Sequence, residues 1–175
     1  MLFAKSDKKP PSRKKATRAA GWEPSRRLRA LQPKYFADLY RAEPIKRVRA
    51  IRQGVPARIL VLTSEAMRIP KTRVYSMLLL PESTTKRKVV SGLAFSPEQS
   101  ERILGLQRLI GQVEVMLEES GDDAQSFDAP AWLAQWLDTP VAALGNEKPS
   151  AFMDTVAGQE IVSHLLARMQ SGAYA

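Results

Sequence analysis

The sequence predicts an all-α protein: a set of short helices that includes a helix-turn-helix unit, then a long helix, then a small helical subdomain. Three observations predict it. Apolar residues recur at spacings of three and four, and no convincing period-two strand appears. Pro, Gly and capping residues punctuate these runs where helices should start and stop. Charge divides along the chain. Residues 1–30 hold ten Lys/Arg against two Asp/Glu (net +8), residues 31–95 hold thirteen against four (net +9), and residues 96–175 hold four against twelve (net −8).

The chain has 175 residues, 44% of them hydrophobic, enough for one ordinary domain or two small ones sharing a core. It has no cysteine, which excludes disulfides and thiolate metal sites and fits a reducing, cytoplasmic setting. Residues 1–11 lack the apolar core of a signal peptide. Apolar runs such as Ile59–Leu62 and Met77–Leu80 are far too short to span a bilayer, so no membrane association is expected.

Residues 1–24 are rich in Lys, Arg, Ser and Pro and read as a disordered basic arm. Residues 25–95 read as a run of short helices. Arg26, Arg27 and Arg29 flank Leu28 and Leu31 in a first one. Tyr35, Phe36, Leu39 and Tyr40 give a short helix with an aromatic face. Pro44 opens the next, with Ile45, Val48 and Ile51 on one side, and Gly54 ends it. Helices follow over Pro56–Met67, over Pro70–Leu80 with Val74, Met77 and Leu78 inward, and over Ser83–Ser91, which Gly92 ends.

Residues 96–175 form the second part. Ser96-Pro97-Glu98-Gln99 is a helix start: Ser96 as N-cap, Pro97 at the first helical position, Gln99 closing a capping box. The helix runs to about 119 with Ile103, Leu106, Ile110, Val113 and Leu117 on one face. Gly105 and Gly111 leave room for another helix to approach closely. Gly121-Asp122-Asp123 is a break. Residues 129–138 form the next helix, with Trp132, Leu133, Trp136 and Leu137 on one side. Pro140 and Gly145-Asn146 break helices, Pro149 suits the first turn of a new one, and Asp154-Thr155 can cap the last. There Ile161, Leu165, Leu166 and Met169 share a face, and Gly172 stands where a C-terminal glycine belongs. No internal repeat is found.

The helix-turn-helix candidate is the pair 70–80 and 83–91, joined by a tight turn at Pro81. The second helix begins Ser83-Thr84-Thr85-Lys86-Arg87-Lys88. Hydroxyls and exposed N–H groups at a helix start can hold phosphates, and basic residues one turn in can reach base edges or backbone. Lys71 and Arg73 add charge from the preceding helix, and Lys46, Arg47, Arg49, Arg52 and Arg58 add more. The competing reading is a solvated charged helix.

No catalytic set is visible, so no enzyme activity and no cofactor are expected. His164 is the only histidine and reads as a structural or surface residue. With no cysteine and one histidine, a zinc site lacks its usual ligands. Asp122-Asp123 is too short for a calcium loop. No phosphate-binding glycine loop is present.

Trp136-Leu137, Thr139-Pro140, Ala143-Leu144-Gly145, Pro149, Phe152-Met153-Asp154-Thr155, Gly158, Leu165-Leu166 and the closing Gly172-Ala173-Tyr174 occur in order. This series resembles the toxin-binding domain of Xre-type antitoxins, the antitoxins of RES–Xre toxin–antitoxin modules and relatives of the ParS/MbcA group. Thr85, the basic residues after it and the start Leu93-Ala94-Phe95-Ser96-Pro97-Glu98-Gln99-Ser100-Glu101-Arg102 resemble the central helix-turn-helix of the same family. The resemblance covers roughly residues 45–175. Lys148 before Pro149, Met169 and Ala173 depart from the family's usual residues.

The resemblance implies an antitoxin that binds operator DNA with its basic half and a RES-domain toxin, acting on NAD, with its C-terminal subdomain. It implies toxin contacts at Trp136, Leu144, Gly145, Pro149, Phe152, Met153, Gly172 and Tyr174. Operator symmetry implies a homodimer, through either the 97–119 helix or the aromatic 35–40 helix. Two rival readings stand beside this one. One is a transcriptional regulator with no toxin partner. The other is an RNA- or ribosome-associated basic protein, which would favour exposed aromatics among the basic residues; residues 83–91 contain none.

Overall fold

The computed structural model describes residues 34–121 and 127–170. Among these, every regular element is helical. Eight α-helices run α1 (Tyr35–Arg41), α2 (Pro44–Gln53), α3 (Arg58–Ala66), α4 (Lys71–Met77), α5 (Glu82–Val90), α6 (Pro97–Ser120), α7 (Ala129–Leu137) and α8 (Val156–Gln170). Two short 3-10 helices, Ala142–Leu144 and Pro149–Phe152, lie between α7 and α8. The basic arm expected over 1–24, the helix around Leu28, the Asp122-Asp123 break, Gly172 and Tyr174 fall outside the described residues.

Helix α6 is the axis on which α1, α2, α7 and α8 pack. Its start is the expected capping box: Ser96 Oγ accepts from the Gln99 N–H, and the Gln99 side chain accepts from the Ser96 N–H. Ile103, Leu106 and Ile110 are wholly buried, and Leu104, Leu109, Val113 and Val115 nearly so. So broad an apolar surface suits a helix surrounded by neighbours, each buried side chain contributing about 1.5–3 kcal/mol.

Glycines on α6 allow that crowding. A Cβ on Gly111 would stand 2.0 Å from the Phe36 carbonyl oxygen of α1, and one on Gly105 would stand 1.6 Å from Gln159 Oε1 of α8. The α1 helix is held there by its backbone and side chains. Glu114 accepts from the Ala37 N–H at 2.8 Å, and the Tyr35 hydroxyl donates to Gln107 Oε1 at 3.3 Å. The aromatic helix and the long helix, both candidates for a dimer interface, thus pack on each other inside one chain.

Two inward faces differ from expectation. On α2 only Ala50 is buried; Ile51 is half-buried, and Ile45 and Val48 face solvent. On α8 the inward set is Gly158, Gln159, Val162, Leu165 and Leu166, while Ile161 is exposed. Gly158 fixes this register. Its N–H donates to Thr155 Oγ1 at 3.1 Å, and a Cβ there would stand 1.9 Å from the Phe152 carbonyl oxygen.

The structure also reveals a local repeat. The α3–α4 turn places Arg68 in the left-handed region (φ 55), and the Ile69 N–H donates to the Ser64 carbonyl at 3.1 Å. The α4–α5 turn places Leu79 there (φ 49), and the Leu80 N–H donates to the Tyr75 carbonyl at 2.8 Å. Each turn then reaches a proline, Pro70 or Pro81, in the extended conformation that launches the next helix. Glycine usually fills such left-handed positions, so each side chain there costs on the order of 1 kcal/mol.

Candidate functional site

The first site is the α4–turn–α5 unit. Its turn is pinned from behind: Arg102 Nη1 on α6 donates to the Leu78 carbonyl at 2.8 Å and the Leu79 carbonyl at 3.1 Å. The α5 helix then presents Ser83, Lys86 and Arg87 to solvent, with Thr84 and Lys88 half-buried.

The basic residues differ in availability. The Arg87 side chain has no hydrogen-bond or ion-pair partner among the described residues. Lys86 pairs with Glu82 one turn back at 2.6 Å, an exposed i,i+4 contact that raises the lysine pKa through hydrogen bonding and Coulomb attraction. Such a contact contributes little and exchanges readily for a phosphate. Lys88 is engaged inward: Nζ donates to Gln99 Oε1 at 2.8 Å and lies 5.7 Å from the centre of the Phe95 ring.

Two expected DNA contacts sit elsewhere. Thr85 is wholly buried, and its hydroxyl has no partner among the described residues, so it packs α5 on the body instead of facing outward. Arg73 is turned toward the C-terminal part, where it pairs with Asp138 and donates to Ser150 Oγ at 3.1 Å. Lys71 is exposed at the start of α4.

The second site is the C-terminal subdomain. Asp128 caps α7 by accepting from the Ala131 N–H at 3.1 Å, and Leu133 and Leu137 anchor the helix in the core. Trp132 and Trp136 stack on its outer side, ring centres 6.1 Å apart and nearly parallel at 12°, with Phe127 beyond Trp132. Residues 141–147 then close on themselves through the Val141–Glu147 pairing. Gly145 (φ 66) and Asn146 (φ 65) are both left-handed, which brings the chain round in a tight, exposed loop.

The expected toxin contacts divide in the same way. Gly145 is exposed, and Trp136, Leu144 and Phe152 are half-buried with part of their surface outward. Pro149 and Met153 are buried. They hold the second 3-10 helix to the body and present no contact surface.

Several residues that join the parts were not anticipated from the sequence. Gln159 Nε2 donates to the Met153 carbonyl at 2.9 Å and the Arg102 carbonyl at 3.1 Å. Arg102 in turn holds the helix-turn-helix turn, so one glutamine links α8 to it through a single residue. Gln112 Nε2 donates to the Ser163 carbonyl at 2.9 Å, and the Ser163 hydroxyl donates back to Gln112 Oε1 at 2.7 Å. No group of three or more metal-ligating side chains occurs among the described residues, and no described helix is long and apolar enough to cross a membrane. His164 is exposed on α8.

Comparison with known proteins finds two family matches. Residues 46–108 match the Antitoxin Xre-like helix-turn-helix domain, and residues 124–172 match the Antitoxin Xre/MbcA/ParS C-terminal toxin-binding domain. A Sphingobium protein named "Prs ADP-ribosylating antitoxin" is 42% identical over 143 residues, covering 82% of this chain and 89% of that protein. "Antitoxin Xre" of Yersinia enterocolitica is 28% identical over 107 residues, 61% of this chain and 66% of that protein. Helix α6 begins inside the first match and continues past it toward the second, which makes it the shared spine of both domains. The chain belongs to the Xre-type antitoxins, non-catalytic proteins that join a helix-turn-helix DNA-binding domain to a C-terminal toxin-binding domain.

Proposed function

We propose that this antitoxin neutralises a RES-domain toxin that consumes NAD, and represses its own operon by binding operator DNA as a homodimer in the cytoplasm. What carries the toxin half of this reading is the tight exposed loop 141–147, which follows the stacked Trp132 and Trp136 along the chain, within the residues that match the toxin-binding domain. The loop is fixed by two left-handed residues and a backbone pairing, so a partner meets a surface that is already ordered. The tryptophan pair has the composition common in binding hot spots. Arg87, outward and with no side-chain partner among the described residues, supports the DNA half.

The name of the Sphingobium relative favours one refinement of the toxin's chemistry. ADP-ribosyl transfer draws the ADP-ribose group from NAD and releases nicotinamide. A toxin of that kind would consume NAD by transfer to a protein acceptor instead of to water. Co-expression with a RES-domain toxin tests the pairing: growth should be rescued by the antitoxin. Labelled NAD in a lysate separates the two chemistries, since transfer leaves label on protein and hydrolysis leaves it as free ADP-ribose. A toxin-poisoned culture that the antitoxin does not rescue overturns the pairing. For repression, a reporter driven by the operon's promoter should fall when the antitoxin is supplied in trans; an unchanged reporter contradicts that part.

A further inference from the structure

We propose that the outward face of α2, together with the first residue of α3, is a second DNA-contacting surface that grips phosphates beside the helix-turn-helix; the proposal rests on the DNA-binding reading above. Its residues are Arg49, Arg52 and Arg58. All three are exposed, and none has a hydrogen-bond or ion-pair partner among the described residues. Elsewhere in this half many cations have acidic partners: Lys34 and Arg41 share Glu118, Arg68 pairs with Asp128, and Arg73 with Asp138. The side chains of Lys71 and Arg87 are the other exposed cations here without a partner among the described residues, so the unmatched charge gathers on α2, the start of α3 and the α4–α5 unit.

The fold ties this set to α5. Helix α2 ends at Gly54, and the chain enters a short pairing in which Pro56 lies opposite Ala94. The Ala57 N–H donates to the Leu93 carbonyl at 2.9 Å, and the Leu93 N–H donates to the Lys88 carbonyl at 2.9 Å. One residue, Leu93, thus stitches the start of α3 to the last turn of α5. Arg58 follows Ala57 directly, and Arg87 precedes Lys88. Arg49 and Arg52 stand one turn apart on α2, both exposed, with Arg47 turned to donate to the Ala42 carbonyl.

The chemistry selects the partner. A duplex carries about one negative charge per 1.7 Å of axis, and guanidinium groups pair with phosphates through two parallel hydrogen bonds. A second copy of this chain does not suit the face, because a two-fold contact would set the same three arginines against themselves. Phosphate contacts carry no sequence information, so the face should strengthen binding to any duplex and leave discrimination to α5.

The test compares the full chain with an Arg49→Gln/Arg52→Gln/Arg58→Gln variant by fluorescence anisotropy. Two duplexes of equal length are used: the DNA immediately upstream of the antitoxin's own reading frame, and a shuffled version. We expect affinity for both to fall by a similar factor, roughly 10- to 100-fold at about 0.1 M salt, with the log–log salt slope shallower by about 2 to 3 units. The ratio of affinities should be kept. The corresponding Arg→Lys variant should keep the slope, which separates charge from packing. An unchanged slope on both duplexes, in a variant whose circular dichroism and melting match the parent, overturns the proposal. So does a loss confined to the upstream duplex, or a change of mass in sedimentation with the slope intact. If the parent fails to prefer its upstream DNA, the specific-operator reading fails while the slopes still decide this one.

Discussion

Arg73 and Asp138 join the two functional halves of the chain: one guanidinium donates through Nε and Nη2 to a single carboxylate, and Nη2 also donates to Ser150 Oγ. Ser150 donates in turn to the same carboxylate at 3.2 Å. Arg73 lies in the helix-turn-helix, and Asp138 and Ser150 lie in the toxin-binding domain. The pair fixes how α4 sits against the end of α7.

The first prediction concerns that pair. Its side chains are 36% and 42% exposed, so solvent screening limits its contribution to about 1 kcal/mol or less. Arg73→Ala and Asp138→Ala should each lower stability modestly in urea denaturation. The double variant should lose less than the sum, and DNA affinity should hardly change in Arg73→Ala. A large loss of DNA affinity would show that Arg73 leaves Asp138 to meet the duplex.

On α5, Arg87 and Lys88 should part company. Arg87→Ala should weaken binding to operator DNA by about 1–3 kcal/mol without altering thermal stability. Lys88→Ala removes the hydrogen bond to Gln99 and the contact with Phe95, so it should act mainly on stability. Gel-shift titration and thermal melting of both variants separate the two roles. Equal effects on DNA affinity would contradict the assignment.

Gly158→Ala tests the join between the second 3-10 helix and α8. Alanine ordinarily favours a helix over glycine by about 1 kcal/mol. Here the new Cβ would stand 1.9 Å from the Phe152 carbonyl oxygen, which backbone must move to relieve. We expect net destabilisation of about 1–3 kcal/mol, seen as a lowered melting temperature. A rise in melting temperature would show that the segment yields freely.

Glu114 supplies a pH prediction. Burial, foremost, and the nearby Glu118 and Asp38 raise its pKa above the usual 4.5, against the opposing hydrogen bond from the Ala37 N–H. The folded chain therefore holds this proton more tightly than the unfolded chain. The associated stability is full below about pH 4.5 and is lost as pH rises through the raised folded value. Glu114→Gln keeps an acceptor for Ala37 and removes the charge. Its advantage over the parent should be greatest near neutral pH and vanish in acid. Lower stability of Glu114→Gln at pH 7 would contradict this.

Local chemistry made much of the fold legible. The Ser96–Gln99 capping box, the proline starts at Pro44 and Pro97, and the Gly54 stop need only neighbouring residues, and each stands as the sequence suggests. The inward faces of α2 and α8 were not legible, because each helix carries apolar residues on more than one side. The choice is made by a close approach: Gly158 against Phe152, and Ala50 as the only buried residue of α2. The roles of Thr85 and Arg73 were hidden for a related reason. A threonine and an arginine at a helix start suit phosphate equally well on paper. Burial of one, and a partner 65 residues away from the other, follow only from the tertiary packing.

The central claim is that this chain silences an NAD-consuming toxin, and the most direct measurement is NAD turnover by the purified RES-domain protein titrated with the purified antitoxin. Turnover should fall to background once the antitoxin saturates the toxin. Truncation after Gln170, which removes Gly172 and Tyr174, should weaken this inhibition and leave operator binding intact. Undiminished NAD turnover in the presence of excess full-length antitoxin would contradict the claim.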